Sequence, residues 1–236
     1  MPMIGLIGGT GFTDFEDFER SATLTPTTPY GEVYLEQGTL AGKPLVFLPR
    51  HGHPPQIPPH KINYRANIQA LADLEVDGII AINAVGGVDP ALPVPSLVIP
   101  DQMIDYTWGR AHTFFDDAIH HIDFTDPFDP ALRQALMEAA SADVVGSGTY
   151  GCTQGPRLET AAEIKMLRSD GCDIVGMTAM PEAALARERN LPYASCCVVV
   201  NPGAGIAPIS HDDIKVALQT GMVAVRQVIR NLIAGY

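Results

Sequence analysis

The chain has 236 residues, 46% of them hydrophobic and 18% charged, which suits one sizeable, well-buried domain rather than a disordered chain. Its 15 Lys and Arg stand against 27 Asp and Glu, a net charge of −12. That excludes a general nucleic-acid or anionic-membrane binder and requires any anion site to be local. No apolar run is long enough to span a bilayer, and the N-terminus lacks a basic leader segment. The four cysteines (Cys152, Cys172, Cys196, Cys197) form no CxxC pair, and the adjacent two would point to opposite faces of a strand, so a reduced, cytoplasmic protein is expected.

In chain order, residues 4–7 read as a short apolar strand running into Gly8-Gly9-Thr10-Gly11. Residues 38–48 are a hairpin return with a strand at 44–48, ending in Arg50-His51-Gly52-His53. A proline-rich loop covers 54–59. Residues 63–74 have helical spacing (Ala66, Ala70, Leu71, Leu74) and lead into a strand at 79–83 that Gly86-Gly87 end. Another strand covers 97–100, and 105–129 form a long polar-aromatic connection of the kind that is functional or interfacial. Further on come a helix over 130–140, a strand over 144–149 and a helix over 159–168. A strand over 174–178 and a helix over 181–189, with Pro181 in its first turn, follow. The apolar run 195–200 is a buried strand ending at Asn201 and stopped by Pro202-Gly203. The last helix starts at Ser210, with Asp213 as cap partner, and carries the stripe Ile214, Ala217, Leu218, Val225, Val228, Ile229, Leu232. The alternation implies an α/β fold, a twisted, mixed and largely parallel central sheet flanked by helices, in a single domain over 1–236. Sites in such folds gather at strand ends.

Several strand ends carry chemistry. The glycines at 8, 9 and 11 let backbone approach an anion, and Thr10 adds a hydroxyl. Asp14 rules out a dinucleotide fingerprint, and no Gly-Lys-Ser/Thr follows for a Walker loop. Arg50 has the fork that suits phosphate oxygens. Thr178, just before a helix, offers a hydroxyl beside free amides. Asn201 presents an acceptor and a donor side by side, matching a ring nitrogen next to a 6-oxo group; on Asn201 alone a turn cap is the simpler reading. His51 and His53 resemble a metal pair, and a metal-dependent hydrolase would need further ligands at later strand ends. The chain has no Gly-x-Ser-x-Gly and no cysteine in an activating context, which fits a reaction whose nucleophile is a bound anion.

Six segments occur in order: Ile7-Gly-Gly-Thr-Gly11, Pro49-Arg-His-Gly-His53, Lys61-Ile-Asn-Tyr-Arg-Ala-Asn67, Asn83-Ala-Val-Gly-Gly87, Gln154-Gly-Pro-Arg-Leu-Glu159 and Gly176-Met-Thr-Ala-Met-Pro-Glu182. Together they resemble the trimeric purine nucleoside phosphorylase and methylthioadenosine phosphorylase family over nearly the whole chain. The likeness is strongest to the bacterial branch acting on methylthioinosine. The resemblance implies phosphate-dependent, reversible cleavage of an N-glycosidic bond, with inorganic phosphate as co-substrate, no metal or organic cofactor, and a homotrimer. It implies phosphate contacts from Thr10, Arg50, His51, the Ala84 backbone and Thr178, with Asn83 shaping the same turn. Met177 would lie against the ribose. Asn201 would bind the purine, with Glu159 receiving N1–H, and both indicate a 6-oxopurine. With Arg50 and His51, Asn201 forms the implied catalytic set. Leu158 stands where many relatives carry a Phe packed on the base, and Gly203 is counted among the substrate-binding residues. His121 matches a residue lent to a neighbouring subunit's 5′ pocket. His211 departs from the methylthio-specific pattern and favours a 5′-hydroxyl, so inosine or guanosine is the alternative substrate, followed by methylthioadenosine. A non-catalytic nucleoside sensor would keep the pocket without turnover.

Overall fold

The computed structural model describes residues 3–12, 17–140, 144–208 and 210–236; Asp14 lies outside them. β1 (Ile4–Gly8) is buried throughout and sits mid-sheet. β2 (Glu19–Leu24) is followed by a separate ribbon of β3 (Thr27–Thr28) and β4 (Gly31–Glu32). β5 (Leu35–Leu40) pairs antiparallel with β2 and with β6 (Lys43–Pro49), which returns parallel to β1. The hairpin read from 38–48 is therefore present, three residues longer at its start. β2 is a solvent-facing edge, Glu-Arg-Ser-Ala-Thr-Leu, and its polar sequence carries no apolar alternation to announce it.

α1 (Tyr64–Asp73) begins where the Asn63 side chain accepts from the Ala66 N–H. β7 (Gly78–Gly87) is ten residues long, so Gly86-Gly87 continue the strand instead of ending it. Close packing explains this: a Cβ on Gly86 would lie 3.2 Å from the Val175 side chain. β8 (Ser96–Val98) and β9 (Gln102–Asp105) precede the long connection, which holds no regular element up to α2 (Pro130–Ala139). The expected 144–149 strand is two short ones, β10 (Val144–Val145) beside β8 and β11 (Thr149–Cys152) beside β9. Thr160 and Glu163 form a capping box on α3 (Ala161–Ser169). β12 (Ile174–Gly176) ends two residues earlier than expected, and α4 (Ala179–Glu188) follows. Met180 inside it has φ −114° and ψ 138°, as the residue before a proline resists helical geometry, so the regular helix runs from Pro181 as the sequence indicates.

β13 (Tyr193–Pro202) lies parallel to β7, and α5 (His211–Gly235) closes the fold with Ser210 as its cap. The central strands β6, β1, β7 and β13 are mutually parallel, while β8, β12 and the β5–β2 edge join antiparallel. α1 and α4 pack on one face and α2 and α5 on the other. The α5 stripe buries Ala217, Val225, Val228, Ile229 and Leu232; each large apolar side chain so buried contributes roughly 1.5–3 kcal/mol. Cys196 and Cys197 face opposite sides of the sheet, and all four cysteines are free and buried. Among the described residues no helix is long and apolar enough to cross a membrane.

Candidate active site

The C-terminal ends of the parallel strands converge because their registers coincide: Gly8 lies beside Pro49, Ile7 beside Ala81, and Cys197 beside Asn83. A cavity of about 270 Å³ opens there. Of the residues singled out from sequence, Thr10, Arg50, His51, Asn83, Ala84, Leu158, Glu159, Met177, Thr178 and Asn201 line it. At one end it shares Thr10 and His51 with a neighbouring cavity of about 550 Å³, and at the other it shares Glu159 with one of about 230 Å³.

Arg50 leaves β6 into the interior and is 1% exposed. Its Nε and Nη2 donate to the two carboxylate oxygens of Glu182, both at 2.8 Å, and Nη1 donates to the Ile82 carbonyl at 2.9 Å. Glu182 is itself 0% exposed and also accepts from the Tyr193 hydroxyl at 2.9 Å. Burial opposes the guanidinium charge, but Glu182 more than offsets it and holds the pKa above its ordinary value. Gly9 makes room for this arrangement, since a Cβ there would stand 2.7 Å from Nη1. Three of the five guanidinium N–H groups are committed, so Arg50 meets the cavity with its charge already balanced.

A second buried network lies beside it. The Ser195 hydroxyl donates to Asn83 Oδ1 at 2.7 Å, and Asn83 Nδ2 donates to Thr178 Oγ1 at 2.8 Å. Thr178 therefore accepts from inside, and its own O–H is left to donate into the cavity it lines. His51 Nδ1 lies 2.8 Å from the Ile57 carbonyl, which only accepts, so Nδ1 carries the proton and a neutral ring presents a bare Nε2. Burial, chiefly, lowers the His51 pKa and favours that neutral form.

The other end is set by β13 and by the loop after β11. A bulge between Val199 and Asn201, with Val200 as the extra residue, turns the end of β13 so that Asn201 reaches the cavity. Asn201 Nδ2 donates to the Pro202 carbonyl at 2.8 Å, which fixes the amide and leaves Oδ1 and one N–H free. Glu159 Oε1 accepts from the Thr153 hydroxyl at 2.7 Å, leaving its second oxygen. Leu158 is 48% exposed at the rim. Arg110, from the long connection, is buried and donates to the Met177 carbonyl at 2.9 Å and the Gln154 carbonyl at 2.8 Å, tying the segment after β12 to the loop after β11.

Three expected residues do not line the cavity. Gly203 packs behind it, its N–H donating to the Gly87 carbonyl at 2.6 Å. His211 is the exposed first residue of α5, and Ile214 of the same turn faces the cavity in its place. His121 is exposed in the connection, two residues from Ile119, which is 90% exposed. The His51–His53 strand pair does not form either: β6 ends at Pro49, and the His53 ring stacks on Tyr34 at 4.8 Å. Among the described residues no three His, Cys, Asp or Glu group as metal ligands. Sequence reasoning missed Glu182, Ser195, Thr153 and Arg110 as supporting groups. For Glu182 a signal existed, a lone carboxylate in the apolar run Met180-Pro-Glu-Ala-Ala-Leu185.

A family model described as the phosphorylase superfamily matches residues 3–234. The chain belongs to the phosphorylase superfamily. Among this phosphorylase's relatives, a probable S-methyl-5'-thioinosine phosphorylase of Pseudomonas syringae pv. tomato is 47% identical over 99% of each chain. A 6-oxopurine nucleoside phosphorylase of Pyrococcus furiosus is 44% identical over 93% of this chain and 87% of its own. The solved structure of methylthioadenosine phosphorylase from Schistosoma mansoni in complex with tubercidin superposes with a TM-score of 0.91 at 32% identity, covering 99% of this chain and 91% of that one.

Proposed function

We propose that the chain cleaves the N-glycosidic bond of S-methyl-5'-thioinosine with inorganic phosphate, reversibly, giving hypoxanthine and 5-methylthioribose 1-phosphate. The observation that carries this reading is one cavity with anion-suited groups (Thr10, Arg50, His51, Thr178) at one end and Asn201 and Glu159 at the other. A phosphate oxygen forms the new bond to C1′ as the C1′–N9 bond breaks. The electron pair of the broken bond leaves with the purine, and the proton that hydrogen phosphate gives up balances the one the purine anion takes up, through solvent, to become hypoxanthine. Thr10, the uncommitted Arg50 N–H groups, the Ala84 backbone and the Thr178 hydroxyl hold phosphate. Neutral His51 accepts from a phosphate O–H at Nε2. Met177 lies against the ribose. The free N–H of Asn201 meets N7, where negative charge develops on the leaving base, and the free oxygen of Glu159 accepts N1–H. Fixed donors of this kind act because they need no reorganisation as the charge appears.

The 5′ group follows from what replaces His211. Ile214 and Pro59 line the cavity and suit a thioether, whereas His211 is exposed away from it. A homotrimer that lends His121 to a neighbour belongs to the same reading, supported by the exposed Ile119 beside it. A cytoplasmic location is supported by four buried, unpaired cysteines. No metal or organic cofactor enters the reading. The test is hypoxanthine release from methylthioinosine and from inosine, each with and without phosphate, with methylthioadenosine as control. Phosphate-dependent release favouring methylthioinosine is expected. Preference for inosine would restore a 5′-hydroxyl role to His211, and release indifferent to phosphate would overturn the phosphorylase reading.

A further inference from the structure

Glu159 meets the base side of the cavity and is held by one side-chain hydrogen bond. It sits on the loop between β11 and α3, and it lines both the main cavity and the adjoining one walled by Trp108, Gln154 and Arg157. A carboxylate on such a partition has two competing destinations, the base or the side cavity. The nearest cation in sequence, Arg157, is already engaged: its Nη1 and Nη2 donate to both oxygens of Glu163 at 2.8 and 2.7 Å. Glu163 is in turn fixed by the Thr160 N–H, and its pKa is held down at about 2, chiefly by Arg157. With Arg157 taken, the hydrogen bond that holds Glu159 comes from Thr153, Oγ1 to Oε1 at 2.7 Å.

Thr153 is rigidly mounted. Its backbone N–H donates to the Gly176 carbonyl at 2.8 Å, and its own carbonyl accepts from Arg110. Its hydroxyl has one proton, and the 3.3 Å separation from the Gly176 carbonyl is the weaker of its two options. We propose that Thr153 is a positioning and specificity-determining residue: by holding one oxygen of Glu159 it aims the other at a ring N–H, and so selects 6-oxopurines, which carry hydrogen at N1, over bases that lack it. The proposal rests on the base-recognition role given to Glu159 above. A rotamer-rich carboxylate that must be ordered on binding gives up affinity, and a second hydrogen bond removes that loss in advance.

The test uses the intact protein and base binding measured by calorimetry, so that turnover is not required. The probes are hypoxanthine, which has N1–H, and unsubstituted purine, which lacks it and is no larger. Thr153→Val keeps the branched shape and removes the hydroxyl; Thr153→Ser keeps the hydroxyl. The expected result for Thr153→Val is a loss of about tenfold in hypoxanthine affinity, the size of one hydrogen bond to a charged group. Purine affinity and the phosphate KM stay within about twofold of wild type, and Thr153→Ser restores hypoxanthine binding. Equal losses for both bases, or no loss for either, would overturn the proposal. A wild-type protein that binds hypoxanthine no better than purine would overturn both it and the Glu159 role. If the binding pattern holds but no phosphorolysis is seen, the proposed reaction fails while Thr153 keeps this role.

Discussion

The strand-end half of the cavity and its loop-built half are held by different means. Arg50, Asn83 and Thr178 are all at least nine-tenths buried, and each is locked by partners on other strands or on α4. Glu159 and Leu158 stand on a loop, one held by a single hydroxyl and the other 48% exposed. The connection over residues 106–129 shows the same gradient within itself. Its first part is pinned by Arg110 and by Glu188, which accepts from Thr113 and from the Phe114 N–H, while beyond it Ile119 is 90% exposed. The difference follows the chemistry. Groups that must meet a fixed charge are preorganised in low-dielectric surroundings, and groups that meet the variable parts of a nucleoside are left on backbone that can be altered cheaply.

The largest expected effect comes from breaking the rigid half. Glu182→Gln removes the charge that balances a buried guanidinium, a class of change that costs about 3–5 kcal/mol. Urea unfolding should register most of that loss. Added phosphate should recover more stability in the variant than in wild type, because an anion then supplies the missing charge. Glu163→Gln, which breaks the exposed Arg157–Glu163 pair on the loop half, should shift the urea midpoint far less. Equal shifts for the two variants would sink the contrast.

A smaller effect is expected where the halves meet. Asn201 Nδ2 donates to the Pro202 carbonyl, so Asn201→Asp sets a carboxylate oxygen against a carbonyl oxygen at a spacing of 2.8 Å in the parent. An unsatisfied or mismatched buried polar group costs about 1–3 kcal/mol, so kcat/KM for methylthioinosine should fall by about ten- to a hundredfold. The ratio of methylthioadenosine to methylthioinosine turnover should rise, because a carboxylate accepts from a 6-amino group and repels a 6-oxo oxygen. Unchanged base preference in a folded variant would show that Asn201 does not read the base.

Much of the strand-end half was legible in the chain itself. Short apolar runs ending in Gly, Arg or Asn place residues at or just past strand tips, and a parallel sheet then gathers them, as it does for Thr10, Arg50 and Asn201; Asn83 joins them from within β7, which runs four residues further. Locks across long sequence distance were not legible. Arg50 and Glu182 are 132 residues apart, Ser195 and Asn83 112. Periodicity reports which face a side chain occupies, and says nothing about its partner on another element. The edge strand β2 escaped because its residues are polar and largely exposed. His211 and Gly203 lie off the cavity lining for a third reason: one residue of helix rotation or strand bulge decides whether a side chain meets the cavity, so the sequence left open whether His211 lines the pocket or is exposed in the first turn of α5.

The subtlest effect is a matter of protons and tests whether His51 belongs to the rigid half. The folded protein lowers its pKa, chiefly by burial, from 6.5. Below that value the unfolded chain takes up a proton that the folded ring resists, so stability is level above it and declines as pH falls toward the depressed folded value. Wild type should therefore lose more stability than His51→Gln between about pH 7.5 and about pH 5.5, read as the difference in urea midpoints. Phosphate sharpens the measurement. An anion beside the ring favours the charged form, so saturating phosphate should flatten the wild-type slope and leave that of His51→Gln unchanged. A slope identical in the two proteins would mean that His51 is open to water, and its ring would then belong with Leu158 and Glu159 as an adjustable wall. A slope that phosphate leaves untouched would remove His51 from the anion site altogether, leaving Thr10, Arg50 and Thr178 to hold the nucleophile.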